Sequence, residues 1–241
     1  MGGPAGAPPP AAPPSRIQQR LDTHLLIPVF RVGFPIGGSG ELDYSCNESG
    51  TSLGLCSGDD PNIDYEDESG LVLGADLLFR VGSGLRLGAG TLVVLDPKYK
   101  FEAFGDSVKI ESGLEASLFG VVEGVFPVGD TVGLTLRGQL GVTALFAGED
   151  HEDEIDDYRS DCEASGADTC EINEGPFFGP HVGLGFGVLV DVGSLAFRAE
   201  VLGQAVRYPF WRTKRSAGGT SLEIEQDIVG TRSLLMLGLE L

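Results

Sequence analysis

The chain has 241 residues, 36 of them acidic and 16 basic, for a net charge of -20. That balance argues against a nucleic-acid partner, because phosphate binding needs clustered Lys and Arg. Hydrophobic residues make up 41%, and no run of about eighteen apolar residues occurs, so no membrane-spanning helix is expected.

Residues 1–20 begin with MGGPAGAPPPAAPPSR, a Pro, Ala and Gly tract expected to be a disordered or extended linker. It lacks the apolar core of a signal peptide. A first strand is expected from about Asp22 to Phe34, with Leu26, Phe30, Val32 and Phe34 on one side. Ile27, Val29, Arg31 and Gly33 take the other side. Pro28 offers no ladder donor, so a bulge or break in pairing is expected there. Residues 37–69 follow with nine Asp or Glu and no Lys, Arg or His, and read as an acidic loop.

The most regular stretch is Gly70 to Leu95. Leu71, Leu73, Ala75, Leu77, Phe79 and Val81 alternate with Val72, Gly74, Asp76, Leu78, Arg80 and Gly82. After Gly82-Ser83-Gly84, the odd positions Leu85 to Leu95 resume the apolar face against Arg86, Gly88, Gly90, Leu92 and Val94. The period is two, which means strands. Arms of about ten residues match tilted bilayer-crossing strands. The second face carries glycine and isolated charges, not the dense polar cover of a water-facing surface, so the Leu/Val/Phe face is read as turned toward lipid.

Residues 96–107 read as a polar loop. The fourth strand sets Val108, Ile110, Leu114, Ala116, Leu118 and Val122 outward, with Lys109, Glu111, Gly113, Glu115, Ser117 and Glu123 inward. A short turn at residues 126–130 leads to the fifth strand. Val132, Leu134, Leu136, Leu140, Val142 and Phe146 oppose Gly133, Thr135, Arg137, Gln139, Gly141 and Thr143. Residues 148–176 then hold twelve Asp or Glu, a second acidic loop. The sixth strand alternates Val182, Leu184, Phe186, Val188 and Val190 with His181, Gly183, Gly185, Gly187 and Leu189. After a turn at residues 191–194, Leu195, Phe197, Ala199, Val201 and Ala205 oppose Arg198, Glu200, Leu202 and Gln204. Residues 208–226 open with YPFWRTKR, the basic cluster of the chain, and read as a loop. The last strand points Val229, Leu235, Leu237, Leu239 and Leu241 outward and Gly230, Arg232, Gly238 and Glu240 inward.

Eight strands result, with three short turns alternating with four longer loops. Phe79, Phe126 and Phe197 gather near the short turns. Phe34, Phe146, Phe178, Tyr208, Phe210 and Trp211 gather near the long loops, where interface girdles would lie. Over about residues 21–241 this pattern resembles the small eight-stranded outer-membrane barrels of the OmpA and OmpX type. The resemblance implies an all-β, antiparallel up-and-down transmembrane β-barrel with long acidic extracellular loops and a periplasmic N-terminus. It implies outer-membrane lipid and lipopolysaccharide as surroundings. It also implies a terminal strand read by the barrel assembly machinery. The family's last residue is usually Phe or Trp; here the alternation ends on Leu241.

Cys46 with Cys56 and Cys162 with Cys170 fall as one close pair in each acidic segment. Four cysteines allow three pairings, and two local bridges are expected, which suits an oxidising compartment. Reduced thiols are the alternative. The spacings are long for zinc, and the nearby histidine is His151 alone.

Three functional readings follow. If the ring closes, Asp76, Arg80, Arg86, Glu111, Glu115, Arg137, Arg198, Glu200 and Arg232 project into one lumen with Gln139, Gln204 and His181. Eight strands leave a lumen only wide enough for side chains to fill, so these charges should pair as a structural plug. The sharper version is a narrow small-solute channel running past Gly183, Gly185 and Gly187. The acidic segments could hold divalent cations weakly through carboxylate oxygens. Catalysis would need a histidine with a partner acid or nucleophile; His181 is the one candidate, no partner is identified, and no enzyme or cofactor is expected. From another class, a soluble lipocalin-like barrel would turn the Leu/Val face inward around an apolar ligand. The expected role is that of an outer-membrane structural or surface-interaction protein.

Overall fold

The computed structural model describes residues 13–50, 56, 63–103, 106–111, 113–146 and 148–241. Its strands are β1 (Leu26–Ser49), β2 (Ile63–Asp67), β3 (Val72–Gly82), β4 (Leu85–Leu95), β5 (Lys98–Ala103) and β6 (Asp106–Glu111). They continue with β7 (Leu114–Pro127), β8 (Val132–Phe146), β9 (Thr169–Ile172), β10 (Phe177–Asp191), β11 (Ala196–Ala217) and β12 (Thr220–Glu240). Two helices, α1 (Arg16–Thr23) and α2 (Glu149–Ala164), complete it. No described helix is long and apolar enough to cross a membrane.

Eight strands pair in the cycle β1-β3-β4-β7-β8-β10-β11-β12, every neighbour antiparallel, and β12 returns to pair with β1. The polarity of this ring follows the period of two. Leu73, Leu87, Leu136, Leu140, Leu184 and Phe186 stand on the exposed outer wall, while Arg86, Glu115, Arg137, Arg198 and Glu200 are buried inside. The lipocalin-like orientation is thereby overturned, because it would bury Leu73, Leu87 and Leu136 and expose Glu115.

Three ring strands run far past the rest. β1, β11 and β12 have 24, 22 and 21 residues, against 11 to 15 for the other five. At about 3.3 Å per residue they project roughly 20–30 Å beyond the ring. β2, β5 and β6 extend this blade from β1, and β9 from β11. Four expected loops are therefore structured. Residues 37–49 and 63–67 of the first acidic segment are strand, the polar loop at 96–107 falls largely in the hairpin β5–β6, the second acidic segment contains α2 and β9, and 208–226 is a continuous hairpin. Residues 51–55 and 57–62 of the first acidic segment lie outside the described residues. Both local disulfides are present, Cys46–Cys56 with Cα atoms 5.5 Å apart and Cys162–Cys170 at 6.1 Å.

Two bulges explain how one strand serves both ring and blade. The register shifts between Pro35 and Gly37 and again between Pro209 and Trp211. One extra residue flips the alternation. Beyond the first bulge, Leu42 turns inward from an even position although Ile27, Val29 and Arg31 were inward from odd ones. At the second, Phe210 and Trp211 in succession join the inner cluster, so neither belongs to an outer girdle. Pro28 carries no bulge: it pairs with Leu77, and its carbonyl accepts the Leu241 N–H at 3.1 Å, where β12 ends. Gly40 and Gly230 have a specific task, since a Cβ on them would fall 2.7 Å and 1.9 Å from the Tyr65 ring and hydroxyl that lie across them.

Both ends of the ring are covered. Inside the blade, Leu42, Tyr65, Tyr99, Phe101, Leu145, Phe177, Val206, Phe210 and Ile228 form one apolar cluster. At the short-turn end α1 docks, although residues 16–20 were expected in the linker; residues 1–12 lie outside the described residues. Ser15 caps α1 by accepting the Gln18 N–H at 3.3 Å. Ile17 and Leu21 bury against Val125, Leu189 and Ala196. The helix touches all three short turns: Ile17 N–H donates to Asp130 O, Gln18 to Ser83 Oγ, and Arg20 to Gly193 O. Replacing Ile17 with Asp should release α1. Trypsin should then cut after Arg20, which is buried in the parent, whereas equal cleavage of both proteins would mean that the helix is not docked.

Candidate functional site

Alternation delivers long polar side chains to the lumen, and glycines opposite them make room. Arg31 faces Gly74 and Gly238 in register, Asp76 faces Gly90, Arg137 faces Gly185, and Glu200 faces Gly187. The space is already taken. A Cβ on Gly90 would meet Asp76 Oδ1 at 2.0 Å, on Gly185 Glu200 Oε1 at 2.6 Å, and on Gly183 Gln139 Oε1 at 2.9 Å. The glycines expected to open a path instead accommodate their neighbours.

The central layer contains four arginines, Arg31, Arg86, Arg137 and Arg198, and four carboxylates, Asp76, Glu123, Glu200 and Glu240, so its formal charge cancels. Glu123, 0% exposed, is the hub. Arg198 holds it bidentately at 2.7 and 2.9 Å, Arg86 donates at 3.1 Å, and Arg137 Nη1 lies 3.9 Å away. Paired donors in a fork of this kind are the strong form of an ion pair. Asp76 Oδ1 accepts from Arg31 at 2.8 Å and Arg137 at 2.7 Å. Glu240 accepts both terminal nitrogens of Arg86 at 2.9 Å. Glu200 stands 3.6–3.9 Å from Arg31, Arg137 and Arg198.

Toward the blade the layer becomes less charged. Gln139 donates its amide N–H to His181 Nε2 at 3.2 Å, and its oxygen accepts from Arg137 Nε at 2.6 Å. His181 Nε2 is then an acceptor, so Nδ1 carries the proton toward Thr143 Oγ1 at 3.2 Å, and Thr143 meets Ser117 Oγ at 2.8 Å. The imidazole also stacks on Phe119, with centroids 5.3 Å apart. Above it Arg232 bonds Glu115 and lies 3.7 Å from Asp67, while Tyr99 donates to Glu115 at 3.1 Å. Gln204 is buried in the same wall. At the opposite end Arg20 of α1 joins Glu240 at 3.2 Å and Asp191 at 3.5 Å.

Of the charges expected in the lumen, Arg80 and Glu111 are corrected. Arg80 reaches out of the ring's short-turn end and donates to the carbonyls of Leu21 and Asp22, clamping the C-terminal end of α1. Glu111 belongs to β6 in the blade, not to a ring strand, and its side chain lies outside the described residues. The sequence-based set omits Arg20, Arg31, Glu123 and Glu240. Alternation already puts the last three inward; Arg20 lay in the expected linker and carried no such signal. Among the described residues, no cluster of His, Cys, Asp or Glu could hold a metal ion.

No protein-family model and no curated protein matches the chain. Among solved structures it is similar to the outer membrane protein OprG from Pseudomonas aeruginosa, at a TM-score of 0.42 and 11% identity, over 90% of this chain and 96% of that one. It is also similar to the outer membrane protein AlkL in lipid bilayers, at 0.43 and 14%, over 100% and 95%. A third is the outer membrane protease OmpT from Escherichia coli, at 0.43 and 8%, over 90% and 96%.

Proposed function

We propose that the protein is an outer-membrane β-barrel with a closed, charge-paired lumen, serving a structural and surface-interaction role. The observation that carries this reading is its inverted polarity: Leu, Val and Phe cover the outer wall while neutralised Arg and Glu fill the middle. A soluble protein rarely exposes apolar patches beyond a few hundred Å², whereas a lipid-embedded strand ring requires this arrangement. The short turns and α1 then face the periplasm, and the disulfide-braced acidic blade faces outward. Outer-membrane lipid and lipopolysaccharide surround the wall. The terminal alternation of Leu235, Leu237, Leu239 and Leu241 would be offered to the barrel assembly machinery.

A plug is favoured over a small-solute channel because the glycine-lined side of the lumen is occupied and both mouths are covered. A non-enzymatic role is favoured because His181, the histidine in the lumen, is buried and bonded to Gln139 and Thr143, with no carboxylate partner among the described residues. Purified protein in planar bilayers should add no conductance above background. Unheated samples should migrate faster than boiled ones on a detergent gel. Steady single-channel steps would replace the plug with the channel; the absence of a heat-dependent shift would count against a barrel.

A further inference from the structure

Among the described features the proposed function leaves unused, the best defined is the seat of α2 on the blade. His151, in the first turn of α2, is 2% exposed and its Nε2 has no hydrogen-bond partner among the described residues. Its ring lies among three others, with centroids 5.0 Å from Phe210, 5.3 Å from Phe177 and 5.5 Å from Trp211. One turn on, Ile155 is buried as well. The N-cap of this half is Gly148, without a side-chain hydrogen bond. The other half is fastened. Cys162 is bridged to Cys170 of β9, which pairs with β11, and Arg159 bonds Glu174.

We propose that α2 is a strap over the blade's aromatic cluster, hinged at the Cys162–Cys170 bridge, which stays seated while His151 is neutral and lifts when it is protonated. Burying a cation that has no acceptor is costly, and the positive end of the helix dipole at its N-terminus adds to the cost. Among the described side chains, those packed on His151 are the rings of Phe177, Phe210 and Trp211, and no carboxylate bonds it. Arg212 of β11 lies 3.4 Å from Glu225, Glu174 ahead of β10 is bonded to Arg159, and Lys109 of β6 bonds Glu68 at 2.5 Å. The acids of the helix itself, Glu149, Glu152, Asp153 and Glu154, are exposed on its other faces. Burial holds the seated imidazole below its ordinary pKa. The lifted form therefore binds the proton more tightly. Seating is at full strength above about pH 6.5 and weakens as the pH falls from there through the lowered value.

Trp211 is the sole tryptophan, so its emission reports the seat directly. In the full chain, folded in detergent with both disulfides intact, acidification below about pH 6.5 should shift Trp211 emission to the red in one step. His151→Phe, which keeps the seat filled, should abolish that step. In the parent, hydrogen exchange should show protection lost at residues 151–155 on acidification but kept near Cys162, a readout that needs no variant. The proposal is overturned if emission does not change, if His151→Phe shows the same step, or if emission changes while protection at 151–155 persists, since His151 would then titrate in place.

Discussion

Replacing Glu123 with Gln should cost roughly 3–5 kcal/mol of stability, the range for breaking a buried ion pair by removing one partner. The carboxylate touches two guanidiniums directly and stands 3.9 Å from a third. Its neutralisation leaves four arginines facing three carboxylates in a layer that is otherwise balanced. Urea unfolding in lipid vesicles, followed by Trp211 emission and by gel mobility, gives the number. Glu225→Gln supplies the contrast, because its partner Arg212 is about half exposed and such surface pairs contribute about 0–1 kcal/mol. The double variant Glu123→Gln/Arg198→Met should recover part of the loss by restoring the balance, which separates lost charge from lost packing. A cost below 1 kcal/mol for Glu123→Gln alone would mean that water reaches this layer and screens it.

The strand faces were legible in the sequence because a ring immersed in two different media repeats one rule at every second residue, and Leu71 to Leu95 obey it except at Arg80, beside the register shift that opens the short turn. The same rule misled where a single residue broke it. Ile36 and Phe210 are bulge insertions, each directly after a proline (Pro35, Pro209), but the bulge was expected at Pro28 instead, so the blade read as loops and Trp211 as a girdle residue. The acidic segments read as loops since 9 and 12 acids are too polar for a membrane wall. A strand that has left the wall, or a helix lying outside it, is free of that restriction. Partner identity within the lumen was not legible either. Alternation says that Glu123 and Arg198 both point inward, but their meeting depends on ring closure and on neighbours 75 positions apart.

Leu184→Arg tests the other half of the polarity. Leu184 sits at the middle of β10 and is 70% exposed, flanked on the outer wall by Val182, Phe186 and Leu140. If water surrounded the wall, arginine there would be neutral or helpful, since an exposed side chain of that kind has no packing to lose. If hydrocarbon surrounds it, arginine at the midplane should cost about 2–4 kcal/mol. The two environments thus predict different outcomes for one substitution, and burial within the chain cannot confuse them. The cost should also depend on depth. Val190→Arg, near the short-turn rim, should fall to about 0–1 kcal/mol, and Ser45→Arg on the outward face of the blade should stay within about 0.5 kcal/mol. Urea unfolding in vesicles of the three variants measures the gradient. A flat profile, with Leu184→Arg as stable as Ser45→Arg, would remove the membrane from the account and leave the apolar wall to be covered by protein.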